Sequence, residues 1–223
     1  MKLYGYFRSS AAYRVRIALN LKGLKVEHIP VHLVKNGGQQ LAQDYKELNP
    51  EALLPTLVDE AIDVEGNNSA FALSQSLAIL EYLEEKYPAV PLLPSDLVQR
   101  AKVRAFALAI ACDIHPINNL RVLKYLTKEL GLDEVQRNQW YRHWCEAGLA
   151  TLEARLVAEG NKGEFCFGDH PSFADCCLIP QVFNAQRFQC DLSHMPTIMR
   201  INAACLSHDA FIRATPANQP DAE

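Results

Sequence analysis

The sequence predicts an α/β domain followed by an all-α domain. Three observations predict this: strand and helix patterns alternate in the first half, a proline-rich segment follows, and strand patterns largely vanish beyond it. Residues 87–95 include three prolines in nine positions, a composition typical of a linker. We therefore expect a first domain over residues 1–86, a linker over 87–95 and an all-helical domain over 96–223.

The first half begins with a strand, a helix and a second strand. Apolar residues at alternate positions predict a strand over residues 2–7. The helix that follows ends at Gly23, since glycine favours helix C-termini. The second strand is predicted near 25–33, where Pro30 favours a sheet edge because proline cannot donate a ladder hydrogen bond.

The remainder of the first half predicts a short helix around 41–47, then two strands and a helix. Segments 56–58 and 70–73 indicate an antiparallel strand pair, and a final helix covers about 75–86. A βαβ unit followed by a ββα unit predicts one mixed sheet. The stretch 60–70 is longer than an ordinary turn, and we expect it to extend the hairpin.

Four helical segments are predicted in the second half: 96–128, 133–159, 172–186 and 196–206. The first is interrupted at Pro116. Trp140 and Trp144 recur at helical spacing, which favours core positions. Ser172 and Asp175 have the spacing of a capping box, so we expect Asp175 to stabilise a helix N-terminus and not to act as a catalytic acid.

Composition excludes several classes of function. The chain is 49% hydrophobic with a net charge of −4, which leaves no basic surplus for nucleic acid. No uncharged apolar run approaches the length of a membrane span, and no signal-peptide pattern follows Met1. The seven cysteines are scattered without CxxC spacing, so we expect reduced thiols in a cytoplasmic protein and no metal site.

Ser9 and Ser10 lie where the first predicted strand ends and a helix begins. A helix N-terminus offers backbone N–H groups and the positive end of the helix dipole, which favour an anion. A thiolate is such an anion, so these serines are candidates for stabilising one. The alternative is that one of them only caps the helix.

Two further segments suggest contacts with a peptide-like ligand. A cis bond between Leu54 and Pro55 would turn the backbone of Leu54 outward, where it can pair with an extended peptide. Gln75 and Ser76 begin the next predicted helix and suit a carboxylate, although such residues usually serve as caps.

Polar and charged residues elsewhere in the chain are candidates for binding anions. The run from Asp113 to Asn119 is a polar cluster inside a helical pattern, which indicates a kink that faces a ligand or is satisfied within the protein. Arg8 and Arg187 each suit bidentate binding of a carboxylate. Arg14 and Arg16 are interpreted as surface or interdomain ion pairs.

Taken together, these segments resemble the zeta class of glutathione transferases, which includes the maleylacetoacetate and maleylpyruvate isomerases. The signature of that class begins Ser-Ser-Cys, and residues 9–19 match it except that Ala11 replaces the cysteine. Further matches follow in order along nearly the whole chain: 36–40, 48–50, 54–57, 75–79, 114–120, 168–169, 172–175, 180–182 and 184–188.

The resemblance implies the glutathione transferase fold, with a thioredoxin-like N-terminal domain and a helical C-terminal domain. By matching position, Ser9 and Ser10 would lie near the glutathione sulfur, and Arg8 and Arg187 would bind the carboxylates of a dicarboxylic substrate. These four are the expected catalytic residues. The expected glutathione-binding residues are Ser9, Ser10, Gln40, Leu54, Pro55, Gln75, Ser76, His115 and Asn119.

Each binding residue has a part of glutathione assigned by the same resemblance. The Leu54 backbone, before a cis Pro55, would pair with the cysteinyl part. Gln75 and Ser76 would hold the γ-glutamyl end, and Gln40 would reach the glycyl end. The contacts from the helical domain would come from His115 and Asn119.

The implied activity is glutathione-dependent isomerisation of maleylacetoacetate to fumarylacetoacetate, in tyrosine breakdown through homogentisate, by a homodimer with transferase side activity. Maleylpyruvate isomerisation in gentisate breakdown is the alternative within the class: residues 120–123 and 37–40 favour maleylacetoacetate, whereas 115–119 favour maleylpyruvate. A non-catalytic glutathione-binding protein on the same fold is a third possibility. Ala11 implies either that the signature thiol is not essential, since glutathione carries its own, or that side activities toward haloacids are altered.

Overall fold

The computed structural model describes residues 1–62 and 68–223. The chain forms two compact units, one of Met1–Pro91 with Asp209–Glu223 and the other of Leu92–His208. The expected helical domain over 96–223 differs from this partition at its end. Residues 209–223 group with the N-terminal unit because side chains of that unit hold their backbone: Asn20 donates a hydrogen bond to the Ala210 carbonyl at 2.9 Å.

A four-stranded mixed sheet forms the centre of the first unit. Its strands are β1 (Lys2–Gly5), β2 (Glu27–Pro30), β3 (Thr56–Ile62) and β4 (Asn68–Leu73). They lie in the order β2-β1-β3-β4, with β1 parallel to β2 and the other pairs antiparallel. The predicted edge position of Pro30 is confirmed, since β2 is an outer strand.

The pairing of β3 with β4 is longer than predicted. It runs from Leu57 opposite Leu73 to Ile62 opposite Asn68, so the hairpin extends into the 60–70 stretch as expected. The remaining part of that stretch, residues 63–67, lies outside the described residues.

The helices carry the labels α1 to α9: α1 Ser10–Leu21, α2 Gln43–Leu48, α3 Ser76–Lys86, α4 Leu97–Leu108, α5 Leu120–Lys128, α6 Glu134–Ala158, α7 Phe173–Arg187, α8 Pro196–Ser207 and α9 Asp209–Ala214. Short 3-10 turns cover Lys35–Gly37, Gln39–Leu41, Pro116–Asn118 and Pro216–Asn218, and a π-helical segment covers Ala109–Ile114.

Helix α1 is the buried centre of the first unit. Every residue from 12 to 19 is buried, because α1 packs against α3 on one side and α9 on another. Its apolar residues Val15 and Ile17 are fully buried, and each such side chain stabilises the fold by about 1.5–3 kcal/mol. The interpretation of Arg14 and Arg16 as surface or interdomain ion pairs is wrong, since both are buried within this unit.

The second unit is helical throughout its regular structure. Helix α6 buries Tyr141, Cys145 and Leu149 along one face. The core assignment of Trp144 is wrong, because the residue is 39% exposed. The predicted capping box at the start of α7 is confirmed: the fully buried Asp175 accepts hydrogen bonds from the Ser172 N–H and hydroxyl at 2.8 Å each.

No helix among residues 1–62 and 68–223 combines the length and apolar character needed to cross a membrane. The same residues contain no group of three or more His, Cys, Asp or Glu side chains placed to hold a metal ion. All seven cysteines are free thiols.

Candidate active site

Ser9 is the N-cap of α1. Its hydroxyl oxygen accepts a hydrogen bond from the Ala12 N–H at 3.2 Å, so the capping interpretation is correct. A hydroxyl has one proton to donate as well as two lone pairs. Capping uses only the oxygen, and the Ser9 proton can still be donated to an anion. Capping and anion stabilisation are therefore compatible roles for one side chain.

The start of α1 has a positive electrostatic character. No acidic side chain lies in its first turn, so the positive end of the helix dipole is not offset by a carboxylate from α1 itself. Ser10 is the first helical residue and is buried. Ala11 follows it and is half-buried, which leaves a methyl group where the signature has a thiol.

The backbone of the loop before Ser9 is fixed by the side chain of Arg16. Its guanidinium donates to the carbonyls of Tyr6 at 3.4 Å, Phe7 at 3.0 Å and Ala214 at 3.0 Å. Burial lowers the pKa of Arg16 to about 10, while Tyr13 and Asp221 act in the opposite direction. Arg16 therefore keeps its charge at neutral pH and fixes the backbone that precedes Ser9.

Arg8 lies in this fixed loop, between Phe7 and Ser9. Its side chain is exposed, and its guanidinium carbon lies 4.8 Å from the centre of the Phe7 ring. A cation over an aromatic face is held without losing its outward hydrogen-bond donors. Arg8 can therefore bind a carboxylate, and it directly precedes Ser9 in the sequence.

The bond between Leu54 and Pro55 is cis, as predicted. The residues on either side are fixed by two buried side chains of the α2 region. Tyr45 donates to the Leu53 carbonyl at 2.7 Å, and Asn49 donates to the same oxygen at 3.0 Å. Asn49 also reaches the Thr56 hydroxyl at 2.9 Å. Burial raises the pKa of Tyr45, so it remains a donor.

The Leu54 backbone itself makes no hydrogen bond within the described part of the chain. Its neighbours are held while its own N–H and C=O stay available. Such an arrangement suits an extended ligand that adds as a short strand.

Gln75 and Ser76 start α3 in different ways. Gln75 has a positive φ of 67° and makes no capping hydrogen bond, so the capping alternative is wrong for it. Its amide instead donates to Glu51 at 2.7 Å. Ser76 is buried, and its hydroxyl oxygen accepts from Arg14 at 3.1 Å. Arg14 thus links α1 to the N-terminus of α3.

Gln40 is placed by a glycine two residues earlier. Gly38 has a φ of 116°, and a Cβ there would lie only 2.7 Å from the side-chain nitrogen of Gln40. Position 38 favours glycine because of this positive φ and because a Cβ would also lie 3.0 Å from the Leu33 carbonyl oxygen. Gln40 is 8% exposed, and its Oε1 has no hydrogen-bond partner among the described residues. A buried acceptor of this kind favours a ligand donor.

His115 and Asn119 come together at the interruption predicted around Pro116. The π-helical segment ends at Ile114, and its close approach to α6 requires Gly148, where a Cβ would lie 2.4 Å from the Ile114 side chain. Asn119 caps α5 by accepting from the Arg121 N–H at 3.1 Å. Its amide nitrogen lies 3.5 Å from the His115 Nε2. The pair is a compact polar group within the helical unit.

Arg187 is the last residue of α7 and is exposed. Its guanidinium carbon lies 4.9 Å from the centre of the Phe188 ring. Phe188 in turn stacks on Tyr141 with ring centres 3.6 Å apart. Burial raises the pKa of Tyr141, so this ring stays neutral beside the arginine.

Several residues that shape the site were not identified from the sequence: Arg14, Arg16, Tyr45, Asn49 and Asp221. A signal existed for the two arginines. They lie in a helix whose other residues from 12 to 19 are all apolar, and a charge in such a helix must be buried with partners. Asp221 had no such signal, since its partner Phe7 is 214 positions away.

The comparisons with known proteins agree with this architecture. The chain matches the glutathione S-transferase N-terminal domain over residues 3–91 and the glutathione S-transferase C-terminal domain over residues 136–194. It is 50% identical to a probable maleylacetoacetate isomerase of Vibrio cholerae, over 99% of this chain and 97% of that protein.

Two solved structures are similar over their whole length. A maleyl pyruvate isomerase, described as a bacterial glutathione S-transferase of the zeta class, is 48% identical with a TM-score of 0.91 and full coverage of both chains. The maleylacetoacetate isomerase of Methylobacterium extorquens AM1, solved with malonate and glutathione, is 42% identical with a TM-score of 0.90 and full coverage of both chains. This chain therefore belongs to the zeta class of the glutathione transferases.

Proposed function

We propose that this protein is a glutathione-dependent cis–trans isomerase that converts maleylacetoacetate to fumarylacetoacetate. The observation that carries the proposal is the Ser9 junction, where a hydroxyl with a proton to donate caps a helix start that has no acidic residue in its first turn. The proposal is also supported by the 50% identity to the probable maleylacetoacetate isomerase of Vibrio cholerae.

The residues of the first unit fit glutathione as a bound peptide. The open Leu54 backbone suits its cysteinyl part, and the buried Oε1 of Gln40 suits a donor near its glycyl end. Ser76 and Gln75 at the start of α3 suit the charged γ-glutamyl end. From the helical unit, His115 and Asn119 are the proposed contacts. The M. extorquens relative was solved with glutathione, which supports glutathione as the cofactor.

When bound, glutathione supplies a thiolate that adds to the conjugated double bond, allows rotation about the resulting single bond, and leaves again. An ordinary thiol has a pKa of about 8.5, so the site must lower it. Ser9 and Ser10 stabilise the anion through their hydroxyls and the start of α1. The signature thiol is therefore not required at Ala11.

Arg8 and Arg187 are the proposed ligands of the substrate carboxylates. Each presents a planar guanidinium, exposed and supported by an adjacent phenylalanine ring. Bidentate binding fixes the orientation of a dicarboxylate. It also stabilises the negative charge that develops on the substrate during addition.

Maleylpyruvate is the second candidate substrate. It is favoured by the similarity to the zeta-class maleyl pyruvate isomerase, which is 48% identical to this chain. Both substrates are conjugated cis acids with two carboxylates, so the same catalytic residues would serve either one. The ratio of kcat/KM for the two substrates distinguishes the candidates.

The decisive experiment is a kinetic assay of the purified protein with each maleyl substrate, with and without glutathione. We expect turnover that depends on glutathione and a higher kcat/KM for maleylacetoacetate. A higher value for maleylpyruvate would assign the second candidate. Glutathione binding without turnover of either substrate would contradict an isomerase function.

The proposal also includes a cytoplasmic homodimer. It is supported by the resemblance to the zeta class and by the free thiols throughout the chain, which suit a reducing compartment. Light scattering during size-exclusion chromatography measures the assembly state, and a monomer mass would contradict this part of the proposal.

A further inference from the structure

Arg187 is followed by an aromatic residue whose ring and backbone are both held by helix α6. The Phe188 ring stacks on the ring of Tyr141, with ring centres 3.6 Å apart and ring planes inclined by 10°. The Phe188 carbonyl accepts a hydrogen bond from the Nε of Arg142 at 2.8 Å. Two consecutive residues of α6 therefore fix the residue that directly follows Arg187.

The backbone around Phe188 is closed by a helix-terminating motif. Gln189 has a positive φ of 57°, and its N–H donates to the Gln186 carbonyl at 3.0 Å. The N–H of Cys190 donates to the Ala185 carbonyl at 2.9 Å. These two bonds form a Schellman motif, which ends a helix with a defined backbone geometry. Phe188 is thus the C-cap residue of a fixed helix end and not part of an irregular loop.

The fixed ring of Phe188 lies beside the guanidinium of Arg187. The guanidinium carbon is 4.9 Å from the ring centre, which is inside the range of about 6 Å over which an aromatic face attracts a cation. Arg187 is exposed, whereas Phe188 is half-buried and Tyr141 is buried. An exposed arginine side chain has many accessible rotamers. A ring that is itself held in place restricts them.

The same part of α6 also holds the turn that separates the two proposed glutathione contacts of the helical unit. The indole N–H of Trp140 donates to the Ile117 carbonyl at 3.0 Å. The Asn118 side-chain amide donates to the Tyr141 carbonyl at 3.3 Å. This part of α6 therefore contacts both that turn and the end of α7, within one compact unit.

We propose that Phe188 is a positioning residue for the isomerase, which fixes the guanidinium of Arg187 for one carboxylate of the substrate. The inference rests on the proposed function in one respect, namely that Arg187 binds a substrate carboxylate. Bidentate binding requires the planar guanidinium to face the carboxylate, so an arginine that rotates freely spends less time in the productive orientation. Removal of the ring should therefore weaken carboxylate binding and lower kcat/KM.

The kinetic test combines Phe188→Leu with Arg187→Ala. We expect Phe188→Leu to lower kcat/KM for a maleyl substrate by roughly 10-fold at saturating glutathione. In the Arg187→Ala background the same change should have almost no effect, because the residue through which Phe188 acts is absent. Phe188→Tyr keeps the aromatic face and should keep most of the wild-type kcat/KM. An equal loss in both backgrounds would overturn the proposal, since that loss would not pass through Arg187.

Phe167→Leu is the matched control. Phe167 is also half-buried, and its ring meets that of Phe106 edge-on with ring centres 5.7 Å apart, but it precedes α7 instead of following it. It should lower Tm and leave kcat/KM unchanged, and a loss of kcat/KM equal to that in Phe188→Leu would overturn the proposal. If Phe188→Leu fails to fold, Arg142→Met releases the Phe188 carbonyl and should lower kcat/KM only when Arg187 is present.

A binding measurement separates this inference from the proposed reaction. Succinate carries two carboxylates but no double bond, so it cannot be isomerised. Calorimetric titration of the glutathione-saturated protein with succinate should give a Kd raised by roughly 10-fold in Phe188→Leu and unchanged in Phe167→Leu. That result without turnover of either maleyl substrate would contradict the isomerase function and support the positioning of Arg187. Turnover together with succinate binding that is insensitive to Phe188→Leu would overturn the positioning and leave the function intact.

Discussion

The carboxylate of Asp221 accepts a hydrogen bond from the backbone N–H of Phe7 at 3.0 Å. Phe7 is two residues before Ser9, and its carbonyl is held from the other side by Arg16 at 3.0 Å. Asp221 and Arg16 thus fix the two peptide units that flank Phe7, one on each side. Residues near the end of the chain thereby fix the loop that leads into the helix α1.

Replacing Asp221 with alanine should weaken this loop. Loss of a hydrogen bond to a charged acceptor lowers the free energy of unfolding by about 1.5–3 kcal/mol, and the buried Arg16 also loses the favourable charge of the Asp221 carboxylate. We expect a lower Tm together with a lower kcat/KM, because Ser9 is no longer fixed. Thermal unfolding and isomerase kinetics measure the two effects.

Asp221→Asn is the matched control, because its amide oxygen can still accept from the Phe7 N–H. It should retain more of the kcat/KM than Asp221→Ala. Equal kcat/KM for both variants and the wild type, with only Tm reduced, would show that Asp221 stabilises the fold without positioning the site.

A pH-dependent prediction concerns Asp59 on β3 and Lys86 on α3. Lys86 and Tyr82 each donate to the Asp59 carboxylate at 2.8 Å. Burial alone would raise the pKa of Asp59, but these hydrogen bonds and one from the Glu60 N–H outweigh it and lower the pKa. The unfolded value is about 3.9. The stabilisation is therefore present above that pH and is lost as the pH falls through the lower folded value.

Lys86→Met should lower the free energy of unfolding by about 1 kcal/mol at pH 7. The difference from the wild type should shrink below pH ~4, as Asp59 becomes protonated in both proteins. Urea unfolding at a series of pH values measures this, with Lys86→Arg as the control that keeps the charge. A difference that stays constant down to the acid limit would show that packing of the lysine stem, and not the ion pair, is responsible.

The double variant Ser9→Ala/Ser10→Ala tests the assignment of these two serines to stabilising the glutathione thiolate. We expect the pKa of the bound glutathione thiol to rise and turnover to fall by roughly 100-fold, within the range for removing a preorganised donor. Loss of the Ser9 cap also lowers stability by about 1 kcal/mol. Ultraviolet titration of bound thiolate and steady-state kinetics measure the chemical effects.

Ser9→Thr is the control for capping, because threonine retains a hydroxyl at the same position. It should keep most of the activity. If the double alanine variant kept the wild-type rate and thiol pKa, the helix dipole and backbone would be sufficient, and the assignment of the serine hydroxyls would be wrong.

Local patterns predicted the parts of the fold that depend on nearby residues. Three such features were predicted: the Ser9 cap, the cis bond before Pro55, and the capping box of Ser172 and Asp175. Each involves partners within a few positions in the chain or lies in a segment that matches the family. Such features follow from spacing and turn chemistry.

The rest depends on partners far apart in the chain. Arg16 is buried because the carbonyls of Tyr6, Phe7 and Ala214 compensate its charge, and Ala214 is 198 positions away. No local pattern indicates that pairing. The grouping of residues 209–223 with the first unit was missed for the same reason, since a helical pattern does not reveal which surface the helix covers.

The arginine assignment is tested by Arg8→Ala and Arg187→Ala. Each charged bidentate contact contributes roughly 1.5–3 kcal/mol, which corresponds to a loss of roughly 10- to 150-fold in kcat/KM per arginine. Lysine should rescue neither site fully, because it lacks the planar fork. Direct titration with glutathione should give a nearly unchanged Kd for both alanine variants, since these residues are proposed to contact substrate. The opposite pattern, a collapse of glutathione affinity with kcat/KM unchanged at saturating glutathione, would assign the arginines to the cofactor and place the carboxylate ligands elsewhere.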